Sequence, residues 1–230
     1  MIEKIGIICA GDRELEPFLK EVEVNELVEK AMLKFYEGKL CGFEVVILFC
    51  GVCKVNAAIA SQILIDTFNV KKIINAGTAG GMDPRLKIFD TVISTETAYH
   101  DVEKGILTDF HPWMESVYFE VDKKLLNAAK EAAAKINTKG KIYFGRMVTG
   151  EAFITDEGRQ QIIDEFNPLS VDMESASIAH VCYVNQIPFI AIRTITDTAE
   201  HSGSSAFEEN LKESSIISME VTKALLQEMR

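Results

Sequence analysis

The chain predicts a single α/β domain over residues 1–230, built as a twisted mixed β-sheet flanked by helices. Three observations predict it. Short apolar, β-branched runs alternate with helically spaced segments along the whole length. A Gly-containing turn joins two of the early strand-like runs, which gives an antiparallel pair and so a mixed sheet. No Pro/Ser/Gly-rich linker, internal repeat or low-complexity tract divides the 230 residues.

The elements follow in order. The run Lys4-Ile-Gly-Ile-Ile-Cys9 predicts a buried strand over 4–9, broken by Gly11-Asp12 before a helix over 14–20. Two apolar runs, 32–40 and 42–50, form the hairpin-like pair. Val55, Ala58, Ile59, Ile63 and Leu64 recur at helical spacing and predict a helix over 54–68. A strand over 71–76 leads into a glycine turn over 77–81, and another strand covers 90–94. Residues 99–121 read as irregular and aromatic. An Ala-rich helix over 125–136 takes Asp122 as its N-cap. A strand over 141–149, a loop over 150–154 and a short helix over 158–166 come next, the helix ending before Asn167-Pro168. A brief strand over 170–172 opens a helix over 174–184, a buried strand follows over 188–195, and a long helix over 206–229 closes the chain.

Composition excludes several classes. The chain is 47% hydrophobic and 26% charged, close to an ordinary globular protein. Its formal charge of −11, from 24 basic and 35 acidic side chains, disfavours a phosphate-tracking surface for nucleic acid. The longest apolar runs are far too short to span a bilayer, so no membrane partner is expected. The start Met1-Ile2-Glu3-Lys4 lacks a basic region followed by a long apolar stretch, so no signal peptide is expected. Five cysteines, an odd number, several inside apolar runs, fit buried thiols in a reducing, cytoplasmic setting.

Ligands in open α/β sheets gather beyond the carboxyl ends of the strands. Four such places carry polar residues that packing explains poorly: 10–14, 77–81, 153–154 with 171–174, and 193–197. The glycine run at 77–81 lacks the dinucleotide spacing and the Gly-Lys-Ser/Thr of a phosphate loop; alone it reads equally as a tight turn. Asp197 alone is a helix cap or a surface carboxylate. Glu174 suits the positive end of a helix dipole, and Glu14 suits a first helical turn. Only their joint pattern carries weight.

Taken together, Ile7-Ile8-Cys9-Ala10-Gly11-Asp12-Arg13-Glu14, Gly51-Val52-Cys53-Lys54-Val55-Asn56, Asn75-Ala-Gly-Thr-Ala-Gly-Gly81, Gly150-Glu-Ala-Phe-Ile154, Val171-Asp-Met-Glu174 and Arg193-Thr-Ile-Thr-Asp197 resemble one family. It is the 5′-methylthioadenosine/S-adenosylhomocysteine nucleosidases, of the nucleoside phosphorylase-like superfamily. The resemblance runs from Lys4 to the C-terminal helix and implies a nucleoside phosphorylase-like fold, a homodimer and no cofactor or metal. The reaction it implies is hydrolysis of the N-glycosidic bond to adenine and a thio-substituted ribose, serving methionine salvage and removal of a methyltransferase by-product. Matching positions give Glu14 as the water-activating carboxylate and Asp197 as the purine-facing acid. They give Glu174 as the ribose-hydroxyl ligand and Met173 beside the sugar. Phe153 stacks on adenine, Ile154 offers backbone hydrogen bonds to it, and Phe207 lies near the 5′-thio group. Ala10, Val52, Thr78, Arg193 and Thr196 complete the implied substrate-binding set. The chain departs from the commonest pattern at Gly11, where many members carry Met, at Thr78, where Ser is frequent, and across 103–120.

These residue types suit the reaction. Cleaving a bond from ribose to a nitrogen base develops positive charge on the sugar. The departing purine needs a proton, which a carboxyl with a raised pKa supplies near N7; Asp197 is the candidate. The opposite ring face needs a water held by a base, for which Glu14 is the candidate, with Thr78 and Arg193 positioning the water or the base. Glu174 accepts charge-assisted hydrogen bonds from the 2′- and 3′-hydroxyls.

Three rival readings stand beside this one. A phosphorylase of the same fold uses phosphate, for which many relatives place an Arg three residues before the Ser/Thr of the glycine run; here that place is Asn75. Cys50-Gly-Val-Cys53 has the spacing of a redox motif, although Ser-Gly-Ile-Gly-Lys is a common form of that stretch in the family. His100-Asp101 and His111 lack a persuasive metal-ligand spacing, and His180 sits among apolar helix neighbours. The order of preference among 5′-substituents, futalosine-type nucleosides included, is not fixed by these motifs.

Overall fold

In the computed structural model the described residues are 3–103, 105–111, 113–155 and 157–230. Met1 and Ile2, at the segment read for a signal peptide, and Lys104 and Pro112, in the stretch read as irregular, lie outside them.

The first half builds a parallel core with an antiparallel wing. Strand β1 (Lys4–Cys9) lies between β4 (Phe43–Phe49) and β5 (Lys72–Gly81), parallel to both. Strands β2 (Glu23–Lys30) and β3 (Leu33–Leu40) extend the sheet antiparallel beyond β4. The expected hairpin is β3–β4. Strand β2 was not legible in the sequence: its residues Glu23 to Lys30 are mostly exposed and charged, so no apolar alternation marks it.

The second half closes on itself. Strand β10 (Phe189–Asp197) pairs parallel with β5 and antiparallel with β6 (Thr91–Tyr99). β6 pairs with β8 (Ile142–Thr149), β8 with β9 (Ser170–Asp172), and β9 returns antiparallel to the end of β5. These five strands therefore ring a small barrel, while β7 (Tyr118–Glu120) pairs outside it with β6. The stretch read as irregular thus contains β7, the last residue of β6 and one helical turn, α3 (Ile106–Asp109).

Helices cover the sheet in two groups. α1 (Asp12–Leu19) and α4 (Lys123–Lys135) pack with α7 (Ser204–Glu228); α2 (Lys54–Asp66) packs with α6 (Ser175–Asn185). α5 (Arg159–Phe166) stops at Asn167, in the left-handed region ahead of Pro168. Asp122 caps α4 as expected, its Oδ1 accepting from the Lys124 and Leu125 amides at 3.0 Å each. The core is the aliphatic filling of the central strands, with Ile5, Ile7, Ile8, Ile47, Leu48, Ile73, Ile74, Ile190 and Ile192 all fully buried.

The glycine run is not a turn. Gly77, Gly80 and Gly81 lie inside β5, paired with Arg193, Asp197 and Ser170 of the neighbouring strands. Their smallness serves close approach: a Cβ on Gly77 would stand 2.5 Å from Glu14 Oε1 and 2.6 Å from Arg193 Nη1.

Candidate active site

The carboxyl ends of β1, β4, β5, β8, β9 and β10 open on one cavity of about 380 Å³. Its wall includes Ala10, Glu14, Val52, Thr78, Phe153, Ile154, Met173, Glu174, Thr196, Asp197 and Phe207. Every site residue expected from the sequence is there except Arg193. That side chain is fully buried behind the wall, where it touches carboxylates and not the cavity. Its position as a substrate ligand is corrected to a support.

Glu14 is placed by the start of α1. It is the third helical residue, and its Oε2 reaches back to the amides of Ala10 at 2.7 Å and Gly11 at 3.1 Å, the carboxylate half of a capping box. Its Oε1 accepts from the Thr78 amide at 2.7 Å and the Thr78 hydroxyl at 2.8 Å. Four donors from two chain segments therefore hold one buried carboxylate, 5% exposed, in a single orientation.

Glu174 follows β9 at the N-terminal boundary of α6. Its Oε1 accepts from the Cys53 amide at 3.0 Å and its Oε2 from Arg193 Nη2 at 3.0 Å. Burial, with the charges of Asp172 and Glu14, raises its pKa against the pull of Arg193. Asp197 ends β10 and is 2% exposed. Burial raises its pKa too, against a hydrogen bond from the Thr196 hydroxyl at 3.0 Å and the charge of Arg159.

Two functional supports escaped the sequence reading. Asp172, quoted only as part of the Val171–Glu174 run, is a hub: Oδ1 accepts from Thr149 Oγ1 at 2.6 Å and from the amides of Glu174 and Ser175, and Oδ2 accepts from Ser175 Oγ and faces Arg193 Nε at 3.1 Å. Arg159, nine-tenths buried on α5, donates to the carbonyls of Gly81 at 2.6 Å and Ile154 at 3.5 Å, tying the Phe153–Ile154 loop to the end of β5. A long polar side chain in a short helix carries no signal of that burial.

The remaining candidates fall elsewhere. Asn75 is fully buried inside β5 and donates to Ser175 Oγ at 2.8 Å. Cys50 is buried and Cys53 stands at φ 84° before α2. Burial raises both thiols, Cys53 to about 11 with Glu151 adding to the effect. Reactive cysteines need the thiolate, so this pair lacks the character of a redox motif. His180 packs against Phe119, ring centroids 4.9 Å apart, as a structural side chain.

Chemically, the site offers a cavity lined in part by Phe153 and Phe207, whose rings meet edge-on at 6.1 Å. It also offers three carboxylates in different surroundings, two of them with raised pKa.

Comparison with known proteins bears on this geometry. The model of the phosphorylase superfamily matches residues 4–229. A 5′-methylthioadenosine/S-adenosylhomocysteine nucleosidase of an Exiguobacterium species is 38% identical, covering 97% of this chain and 99% of its own. Two solved structures of enzymes with that name are similar throughout. The one from Neisseria meningitidis, in complex with methylthio-immucillin-A, has a TM-score of 0.90 and 31% identity, covering 98% of this chain and 99% of its own. The one from Colwellia psychrerythraea, in complex with adenine, has a TM-score of 0.90 and 33% identity, covering 99% and 96%.

Proposed function

The chain belongs to the phosphorylase superfamily and, within it, to the 5′-methylthioadenosine/S-adenosylhomocysteine nucleosidases, and from this we infer that its cavity binds an adenine nucleoside and hydrolyses it. It is an N-glycosyl hydrolase that cleaves the bond of 5′-methylthioadenosine and S-adenosylhomocysteine, releasing adenine and the thio-substituted ribose.

The observation that carries the mechanism is the meeting of Glu14, Glu174 and Asp197 at one cavity. In this reading Glu14 takes a proton from the attacking water on one face of the ribose. Its fixed orientation favours that step, because a base aimed in advance needs no reorganisation in the transition state. Asp197 gives its proton to purine N7, a role its raised pKa supports, since burial favours the acid form. Glu174 accepts from the ribose hydroxyls, and the buried carboxylates together favour the cationic sugar. Phe153 stacks on the base, Ile154 meets it through its backbone, Met173 lies along the sugar, and Phe207 closes over the 5′-thio group. Ala10, Val52, Thr78 and Thr196 complete the wall.

Phosphate is a poor fit for this wall. Among the described residues Arg13 is the one cationic side chain lining the cavity, whose wall also holds Asp12, Glu14, Asp172, Glu174 and Asp197. Asn75, at the place of the phosphorylase Arg, spends its amide on Ser175 inside the sheet. The test is product analysis on 5′-methylthioadenosine with and without phosphate. The expected products are adenine and free thioribose at an unchanged rate; a sugar 1-phosphate would decide for a phosphorylase.

The single domain of residues 1–230 acts as a homodimer in the cytoplasm in this reading. Exposed Val55 and Ile59 on α2, and Tyr183 and Val184 on the adjoining α6, support pairing. The buried thiols Cys9, Cys50 and Cys182 support a reducing compartment. Sedimentation of the purified chain tests the dimer.

A further inference from the structure

We infer that Arg13 is a specificity residue: held at the cavity mouth by Glu208, its guanidinium exchanges that partner for a carboxylate on the outer end of the nucleoside's 5′-substituent. The inference rests on the nucleosidase reading above.

Arg13 follows β1 and immediately precedes Glu14, so its backbone is fixed by the same turn that orients the base. Glu208 follows the cavity-lining Phe207 on α7. The two side chains join as a fork, Nη1 to Oε2 at 2.6 Å and Nη2 to Oε1 at 2.8 Å. Their side chains are 50% and 54% exposed. An ion pair this wet contributes little and is readily exchanged. A ligand carboxylate presents the same planar pair of oxygens to the same fork, so the exchange keeps both hydrogen bonds.

Charge leaves no other place for such a group. The rest of the wall holds five carboxylates, and an anionic substituent directed at any of them would be repelled. There is also room beside Arg13: a Cβ built on Gly11 would meet nothing within 4 Å, so the wall is recessed where the substituent passes. A neutral methylthio group carries no carboxylate for the guanidinium to hold. The pair therefore discriminates by the far end of the substituent, not by the purine or the ribose.

The experiment compares 5′-carboxypropylthioadenosine with 5′-butylthioadenosine, near-isosteres that differ in charge, with 5′-methylthioadenosine as reference. The readout is the ratio of kcat/KM for the anionic over the neutral nucleoside. Arg13→Gln is expected to lower that ratio about three- to fivefold, the upper scale of an ion pair at a partly exposed site. Glu208→Gln is expected to raise it, because the competing carboxylate is gone. A ratio unmoved by Arg13→Gln, or lowered by Glu208→Gln, overturns the exchange while adenine release from the reference substrate leaves the nucleosidase reading standing. Failure of the unaltered enzyme to release adenine from any of the three would overturn both.

Discussion

Thr78 meets Glu14 twice: its amide at 2.7 Å and its hydroxyl at 2.8 Å both donate to Oε1 of the same carboxylate. A residue on β5 thereby helps fix a side chain on α1, and the base owes its aim to the strand as well as to the start of its own helix. Removing the hydroxyl while keeping the shape isolates this contact. Thr78→Val is expected to lower kcat/KM on 5′-methylthioadenosine about tenfold, the scale of one hydrogen bond to a charged group. Thr78→Ser, which keeps the donor, is expected to stay within about threefold of the unaltered enzyme. Equal losses in both variants would count against the hydroxyl.

Gly77→Ala is expected to cost more. The added methyl would stand 2.5 Å from Glu14 Oε1 and 2.6 Å from Arg193 Nη1, and both groups are already fixed by other partners. Displacing the base by even about 1 Å is expected to lower kcat about a hundredfold. Steady-state kinetics on folded protein, verified by circular dichroism, measure it. A variant with unaltered kcat would mean that Glu14 tolerates the shift and is not held for catalysis.

Cys53→Gly is expected to stabilise the protein. Cys53 sits at φ 84°, ψ 164°, a region open to glycine and costly for any residue with a Cβ. Relief of that strain, less the extra freedom glycine gains on unfolding, leaves about 1 kcal/mol in favour of the variant. Chemical denaturation measures it, and the amide that holds Glu174 is unchanged. A lowered midpoint would show that the thiol's packing outweighs the backbone term.

Asp197 links activity to stability. Its pKa is raised in the folded state, with burial the leading cause. A carboxyl raised on folding binds more protons folded than unfolded, so stability is highest below its unfolded pKa of about 3.9 and falls as pH rises through the folded value. Asp197→Asn removes the ionisation and keeps an acceptor for Thr196. The variant is expected to melt above the unaltered protein at about pH 8, with the gap closing toward about pH 4. A gap independent of pH would place the effect outside ionisation.

Much of this was legible in the chain. Buried strands such as β1 and β10 are nearly continuous apolar runs, and the Ala-rich α4 with Asp122 before it announces its own cap. β2 hid because its side chains face solvent, so neither face carries an apolar stripe. The glycines at 77–81 were misread as a turn because glycine permits turns; here it permits contact, and only the position of Glu14 reveals which. The family resemblance, not residue spacing, implies Arg193 among the substrate-binding residues. At a spacing of four, regular strand alternation would leave Arg193 and Asp197 on one face; the register of β10 shifts between Ile195 and Asp197, so Asp197 reaches the cavity while Arg193 lies behind the wall against Asp172 and Glu174. Asp172 and Arg159 act through burial and long-range partners, which residue type and spacing do not encode.

The central claim is that Asp197 delivers the proton that frees adenine. Turnover of 5′-methylthioadenosine by Asp197→Asn, followed by adenine release at saturating substrate, tests it most directly. The expected result is a kcat lower by about 10²–10⁴ in a protein that still folds and still binds the nucleoside. Turnover equal to that of the unaltered enzyme would contradict the assignment and leave the purine without its acid.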